Sequence, residues 1–329
     1  MDGLEYKTKL IKAIESAPSR EALSGYLEKY AEYLRPVSPN GKVISLYDAV
    51  IKLLNEQDTK SIEVHSRHED VEEFFFLTPG LHVIAAPSGH GKTLWAMEWA
   101  ESAAKNNSKV FMASLEMTPK DLAARKLTGL VDLPLKEIIQ QKLSEIQRIV
   151  LKEKVESKEF NYFKNIFIGS FDSLDWVKLQ PSFTDMLVKI RPQLIIVDYV
   201  QMIYDSAETD ARMSQRMANI ARELKVLADS TGIAVLLLSQ MNREVLKSFD
   251  PKTVDHLGFV PMNNSYIKES GGIVEAADSV QLVCIPARFP TLIGTEIRNK
   301  FQITVDKSRR LGQLGTALLP FDSEKMKFI

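Results

Sequence analysis

The stretch "APSGHGKTLWAMEWA", residues 86–100, constrains this chain more than any other. A loop of small residues ends in Gly-Lys-Thr, an apolar run (81–86) precedes it, and a long helical pattern follows at once. Strand, loop and helix in that order, with G-x-x-x-x-G-K-[ST] across the loop, make a cradle for a nucleotide phosphate. Here the first position is Ala86 rather than Gly. Gly89 and Gly91 allow backbone N–H groups to turn inward, and the helix beginning near Lys92 adds the positive end of its dipole. Lys92 offers a mobile charge to the β- and γ-phosphates, and the Thr93 hydroxyl a ligand for Mg²⁺. The expected ATP-contacting set is Ser88, Gly89, His90, Gly91, Lys92, Thr93 and Leu94, with His90 a solvent-facing filler rather than a base.

From residue 80 onward, short apolar runs alternate with helical patterns. The runs cover 81–86, 109–115, 165–170, 193–200, 233–240, 279–285, 301–307 and 315–321. They are apolar throughout, as strands covered on both faces must be. Between them, Met213, Met217, Ile220, Leu224 and Leu227 share one helical face. The expected fold is α/β: a mainly parallel central sheet flanked by helices, with the last two strands an antiparallel pair. Residues 1–75 carry charged amphipathic helical patterns and are expected to form a small N-terminal helical domain or linker. Residues 76–329 form the α/β domain. The composition, 45% hydrophobic, is ample for its core.

Three polar residues close strand patterns at the edge the loop should occupy. Asp198 ends "LIIVD" and suits magnesium, directly or through water; a turn-capping acid is the alternative. Glu116, in "ASLEM", suits the orientation of an attacking water, unless it is a helix N-terminal acid sharing duty with Thr118 or Asp121. Gln240, ending "AVLLLSQ", can sense the γ-phosphate.

Net charge is −1, from 42 basic and 43 acidic residues, which excludes a surface uniformly basic but not a local nucleic-acid channel. The one cysteine, Cys284, sits in an apolar run and allows no intrachain disulfide, and there is neither a leader pattern nor an apolar run of about eighteen residues. A soluble, cytoplasmic protein with no membrane partner is expected.

The motifs "VIAAPSGHGKT", "SLEM", "LIIVDYVQM", "LLLSQMNRE", "ESGGIVEAAD" and "DKSRRLGQLG" occur in that order. Together they resemble the motor domain of the DnaB-like replicative helicases, a RecA-like core, over roughly residues 78–329. The resemblance implies a hexameric, ATP-driven helicase moving 5′–3′ on single-stranded DNA. It implies that Lys92 and Thr93 bind phosphate and metal, Glu116 polarises water, Asp198 supports Mg²⁺ and Gln240 is the sensor. In "DKSRR", Arg309 would be an arginine finger reaching the neighbouring subunit's ATP, with Lys307 beside it; the alternative is a solvated basic edge. DNA contact is expected after Gln240, from Arg243, Lys247, Lys252, Asn263, Asn264 and Lys268, on a stretch long and polar enough to lie outside the core, or to be a plain surface loop. A primase or helicase loader is a further implied partner. The roughly 75 residues before the motor are expected not to form the family's large N-terminal domain; its usual lead-in is replaced by "SIEVHSRHEDVEEFFFLTPG", and Lys268 stands where Arg is common. A filament-forming, recombinase-like or mediator ATPase that holds DNA without unwinding it is the second reading.

Overall fold

The computed structural model describes residues 46, 63–130, 135–140, 142–206, 212–268, 271–292, 296–323 and 326–329. The helical patterns expected before residue 60 lie outside these, Leu46 excepted. Residues 63–77, on both sides of the boundary expected at 75/76, pack with the α/β domain: Val64, Val71, Phe75 and Leu77 share a core with Ile84, Trp95 and Trp99. A short helix, α1 (Glu69–Glu72), lies in this lead-in.

Every apolar run named above becomes a strand. In chain order these are β1 (Gly80–Ala86), β2 (Val110–Ser114), β3 (Ile166–Gly169), β4 (Leu194–Asp198) and β5 (Ala234–Gln240). β6 (Ser279–Cys284), β7 (Lys300–Ser308) and β8 (Gly315–Asp322) follow. The two-residue strand β9 (Lys327–Phe328) carried no sequence signal of its own. They form one sheet in the order β3-β2-β4-β5-β1-β6-β7-β8-β9. The first six are parallel, whereas β7, β8 and β9 pair antiparallel. The closing pair β7–β8 is as expected, and β7 is also antiparallel to β6.

The apolar runs stay apolar because alternate residues feed two different cores. Leu81, Val83 and Ala85 face one, and Ile84 and Ala86 the other. Helix α2 (Lys92–Lys105), α3 (Pro119–Leu130), α4 (Leu135–Ile139) and α5 (Glu145–Glu156) follow the strands β1 and β2. α6 (Trp176–Ile190) and α7 (Met213–Thr231) bury Phe183, Leu187, Met217, Ile220 and Leu224 against the first core. After β5 come α8 (Pro251–Leu257) and α9 (Gly271–Ala276).

The stretch after Gln240 corrects an expectation. It is not outside the core: Met241, Val245, Phe249, Val254, Val260, Met262 and Ile267 are all buried in it. Their irregular spacing fits neither helical nor strand period, so the pattern hid them. Among the described residues, no helix is long and apolar enough to cross a membrane.

Candidate functional site

Parallel pairing brings the strand ends together. Ala86 stands opposite Gln240, and Ser114 opposite Asp198, so the loop after β1, Glu116, Asp198 and Gln240 all lie at the carboxyl edge of the sheet. The loop turns on Gly89 (φ 79°) and Gly91 (φ 85°), both in the left-handed region that favours glycine. At Gly91 a Cβ would also meet Phe301 Cε2 at 2.6 Å.

Helix α2 starts from this turn, and its rotation is fixed from below. Trp95 and Trp99, one turn apart and fully buried, both donate their indole N–H to Gln281 Oε1 on β6, at 2.8 and 3.3 Å. That seating leaves Lys92 and Thr93 facing β4. Thr93 Oγ1 donates to Asp198 Oδ2 at 2.7 Å. Asp198 is 1% exposed, and its other oxygen, Oδ1, is buried without a protein partner. Burial raises the Asp198 pKa against the pull of Lys92 and the Thr93 bond. Burial lowers that of Lys92, against Asp198 and Glu116, and its Nζ rests 3.8 Å from the centre of the Tyr199 ring. A half-buried ammonium, a hydroxyl and an orphaned carboxylate oxygen beside inward-turning glycines fit a phosphate and a divalent cation.

Glu116 is exposed just past β2, close enough to bear electrostatically on Lys92, Asp198 and Tyr199. Capping of α3 falls to other residues: Thr118 Oγ1 donates to Asp121 Oδ2 at 2.7 Å, and Asp121 N donates to Thr118 Oγ1 at 3.2 Å. Gln240 is half-buried. Its backbone N–H donates to Gln201 Oε1 (3.1 Å), and Gln201 Nε2 donates to Ser239 Oγ (2.8 Å). Its carbonyl accepts from Lys268 N at 3.0 Å, and Met241 N donates to Ala86 O at 2.9 Å.

His90 corrects a second expectation. It is 2% exposed rather than solvent-facing, because its ring packs edge-on against Phe289 at 4.8 Å and Nδ1 accepts from Ile285 N at 3.3 Å. Burial, helped by nearby Arg288, pushes its pKa down to about 3, so it is a neutral prop beneath the loop. Two neighbours escaped the sequence reading. Gln201 follows Asp198 in "DYVQM" and could have been noticed as a polar residue beside a strand end. Arg288 donates to the Gly89 carbonyl and, at 3.1 Å, to Met326 Sδ, and no pattern around it predicted this.

Lys307 and Arg309 lie elsewhere. β7 runs back along β6, pairing Ser308 with Ser279 and Lys307 with Val280, so both cations sit at the amino edge of the sheet. A strand's length, roughly 15–20 Å, separates them from the loop. Lys307 Nζ donates to Val274 O, and Arg309 Nη2 to Glu275 O at 2.8 Å. Burial and Arg309 push the Lys307 pKa down. Arg243, Lys247, Lys252, Asn263 and Lys268 are exposed on the excursion after β5, and Asn264 is half-buried. Asn263 Oδ1 caps Ser265 N at 3.0 Å, and Asn264 N donates to Asp306 Oδ2 at 2.9 Å.

Residues 69–329 match the family described as DnaB-like helicase C terminal domain. The chain belongs to this family. Among curated DnaB relatives, the replicative DNA helicase DnaB of Geobacillus stearothermophilus is 26% identical over 290 residues, 87% of this chain and 60% of that protein. The replicative DNA helicase DnaC of Bacillus subtilis is 26% identical over 289 residues, with the same shares. The DnaB of Haemophilus influenzae is 27% identical over 295 residues, 87% of this chain and 58% of that protein. The chain therefore spans about three-fifths of these relatives' length. In three dimensions it resembles the solved ATPase domain of a phage protein (TM-score 0.70, 20% identity, 88% of this chain and 99% of that one). It also resembles a DnaB-like replicative helicase solved with attention to its interactions with primase (TM-score 0.67, 19% identity, 99% of this chain and 75% of that one). Both share the RecA-like fold seen here.

Proposed function

We propose that the protein is an ATP-driven motor of the replicative helicase type, moving 5′–3′ on single-stranded DNA and separating duplex as a cytoplasmic homo-hexamer. One observation carries the reading. Lys92, Thr93 and Asp198 lie at one edge of the sheet, and Lys307 and Arg309 at the opposite edge. A single copy cannot bring the two groups to one phosphate, whereas copies arranged head to tail can, and a head-to-tail contact that closes is a ring. The names of the DnaB relatives, replicative helicases, support the same reading.

In this site Ser88, Gly89, His90, Gly91 and Leu94 frame the phosphates through the loop backbone and the start of α2. Lys92 holds the β- and γ-phosphates. Thr93 and Asp198 would hold Mg²⁺, the orphaned Oδ1 of Asp198 being the atom that lacks a partner. Magnesium bound there neutralises charge on the phosphate oxygens. Glu116 orients the attacking water and accepts its proton at the carboxylate. Gln240 senses the γ-phosphate, and its backbone bond to Lys268 leads toward the DNA residues. Arg309 and Lys307 of the adjoining copy stabilise the charge that develops on the transferred group. Arg243, Lys247, Lys252, Asn263, Asn264 and Lys268 track the DNA backbone without reading bases. Residues 1–75 serve subunit contacts or the docking of a primase or loader.

The test is direct. Purified protein should hydrolyse ATP faster with single-stranded DNA and displace a labelled strand from a fork bearing a 5′ tail. Hydrolysis without displacement would leave only the DNA-holding ATPase. Arg309→Ala should lose DNA-stimulated hydrolysis yet still bind ATP; full turnover in that variant sinks the shared-site reading.

A further inference from the structure

Helix α9 holds one half of the proposed machine and follows the other closely in the chain. Its last carbonyls hold the two candidate trans-acting cations: Lys307 Nζ donates to Val274 O, and Arg309 Nη2 to Glu275 O at 2.8 Å. Immediately after it, Asp278 O accepts from Arg309 N at 2.7 Å. The Asp278 carboxylate in turn accepts from Leu81 N and Lys225 Nζ, both at 2.8 Å, which ties this turn to β1 and α7. At the other end, the chain enters α9 from Lys268, whose N–H donates to Gln240 O at the carboxyl edge. An ammonium and a guanidinium keep donors to spare after one carbonyl bond, so anchoring them aims them without exhausting them.

What seats α9 is Gly272. A Cβ there would lie 2.1 Å from Ala218 Cβ and 3.0 Å from Ala218 Cα on α7, while Ile273 beside it is fully buried. Ala218 Cβ is fixed rigidly to its backbone, so a methyl added 2.1 Å from it must push the helix itself away. We propose that Gly272 is a positioning residue for the shared site: its bare Cα lets α9 lie directly on α7, which sets where Val274 and Glu275 hold Lys307 and Arg309. The same contact links DNA held at Lys268 to the cations at the opposite edge. This rests on the motor reading above.

The variant Gly272→Ala displaces the anchoring carbonyls while leaving the phosphate loop untouched. Its kcat with saturating single-stranded DNA should fall by about a hundredfold, the cost of misplacing a catalytic group by an ångström. The KM for ATP and the affinity for fluorescent ADP should stay at wild-type values. The double variant Gly272→Ala/Ala218→Gly moves the methyl across the same contact and should recover most of the lost kcat. Wild-type kcat in Gly272→Ala, or a folded double variant no faster than the single one, overturns the proposal. Amide exchange of residues 271–276 in the wild-type protein should change on adding single-stranded DNA; unchanged exchange overturns it as well, whatever the variants do. Failure of the motor reading looks different, since the wild type itself then displaces no strand from the fork, whatever its ATP turnover.

Discussion

Gly91 and His90 are neighbours in the loop with opposite requirements. Gly91 has φ 85° and no room for a Cβ against Phe301, so Gly91→Ala combines backbone strain with a clash. It should cost about 1–3 kcal/mol in urea denaturation and weaken ATP binding; an alanine variant with wild-type stability and affinity contradicts the geometry. His90 is buried and held neutral, and so is His82, whose Nε2 donates to Thr78 O (2.7 Å) while Nδ1 accepts from Ser279 Oγ (2.8 Å). Burial pushes His82 down to about 4 and His90 to about 3 from 6.5. Unfolding lets both rings take up a proton below their ordinary value, so their contribution is whole above pH 6.5 and drains as the pH falls toward the folded values. Each should remove up to about 1.4 kcal/mol per pH unit through that window. Urea midpoints measured from pH 7 to about 4.5 should slope downward, and His82→Gln/His90→Gln should flatten the slope. An identical slope in the double variant would show that other groups carry it. The glycines and the Lys-Thr pair were legible because their chemistry is local. The burial of His90 was not, because Phe289 and Ile285, which cover it, lie far along the chain.

Among the elements, strands were read most completely. A strand covered on both faces needs apolar residues at every position, and that demand is written in five or six consecutive letters. The excursion between β5 and β6 was read least well. Its backbone is held by side chains from β7 rather than by its own period: Gln302 Oε1 accepts from Val260 N, and Gln302 Nε2 donates to Val260 O, both at 2.7 Å. Gln302 is fully buried. Gln302→Leu keeps the bulk and orphans both backbone groups, so it should cost about 2–4 kcal/mol by urea denaturation. A loss below about 0.5 kcal/mol would mean that the excursion is held by its apolar residues alone. Helix α2 shows a related gap. Glu98 and Glu101 interrupt its apolar face, yet both are buried, balanced by Arg67 and Lys126, with His68 Nε2 3.1 Å from Glu98 and Tyr162 donating to Glu101 at 3.1 Å. The lead-in before β1 is thereby pinned to the helix that begins at the phosphate loop.

At the scale of the whole molecule, the reversal of β7 matters most. Because β7 runs antiparallel to β6, the motif "DKSRR" ends at the edge opposite the loop, and under the proposed function one copy holds two halves of a site it cannot complete alone. Mixing two crippled proteins tests this. Lys92→Ala and Arg309→Ala should each hydrolyse no ATP, but a mixture should regain activity wherever an intact loop meets an intact arginine. Random equimolar mixing makes about a quarter of the interfaces complete in a ring of head-to-tail contacts. A mixture as inactive as its components would mean that the cations do not act across a subunit boundary.

The sequence by itself determined the loop, the strand set, the α/β class and the strand-end acids, because each depends on residues adjacent in the chain or on a simple period. Only the tertiary structure decided that His90 is a buried prop, that Gln201 holds the end of β5 and Arg288 braces the loop from outside it, that the stretch after Gln240 belongs to the core, and that Lys307 and Arg309 face away from their own chain's phosphate loop. The physical reason is the same in each case. Burial, and the direction of a returning strand, are set by partners far along the chain, and no local pattern carries them.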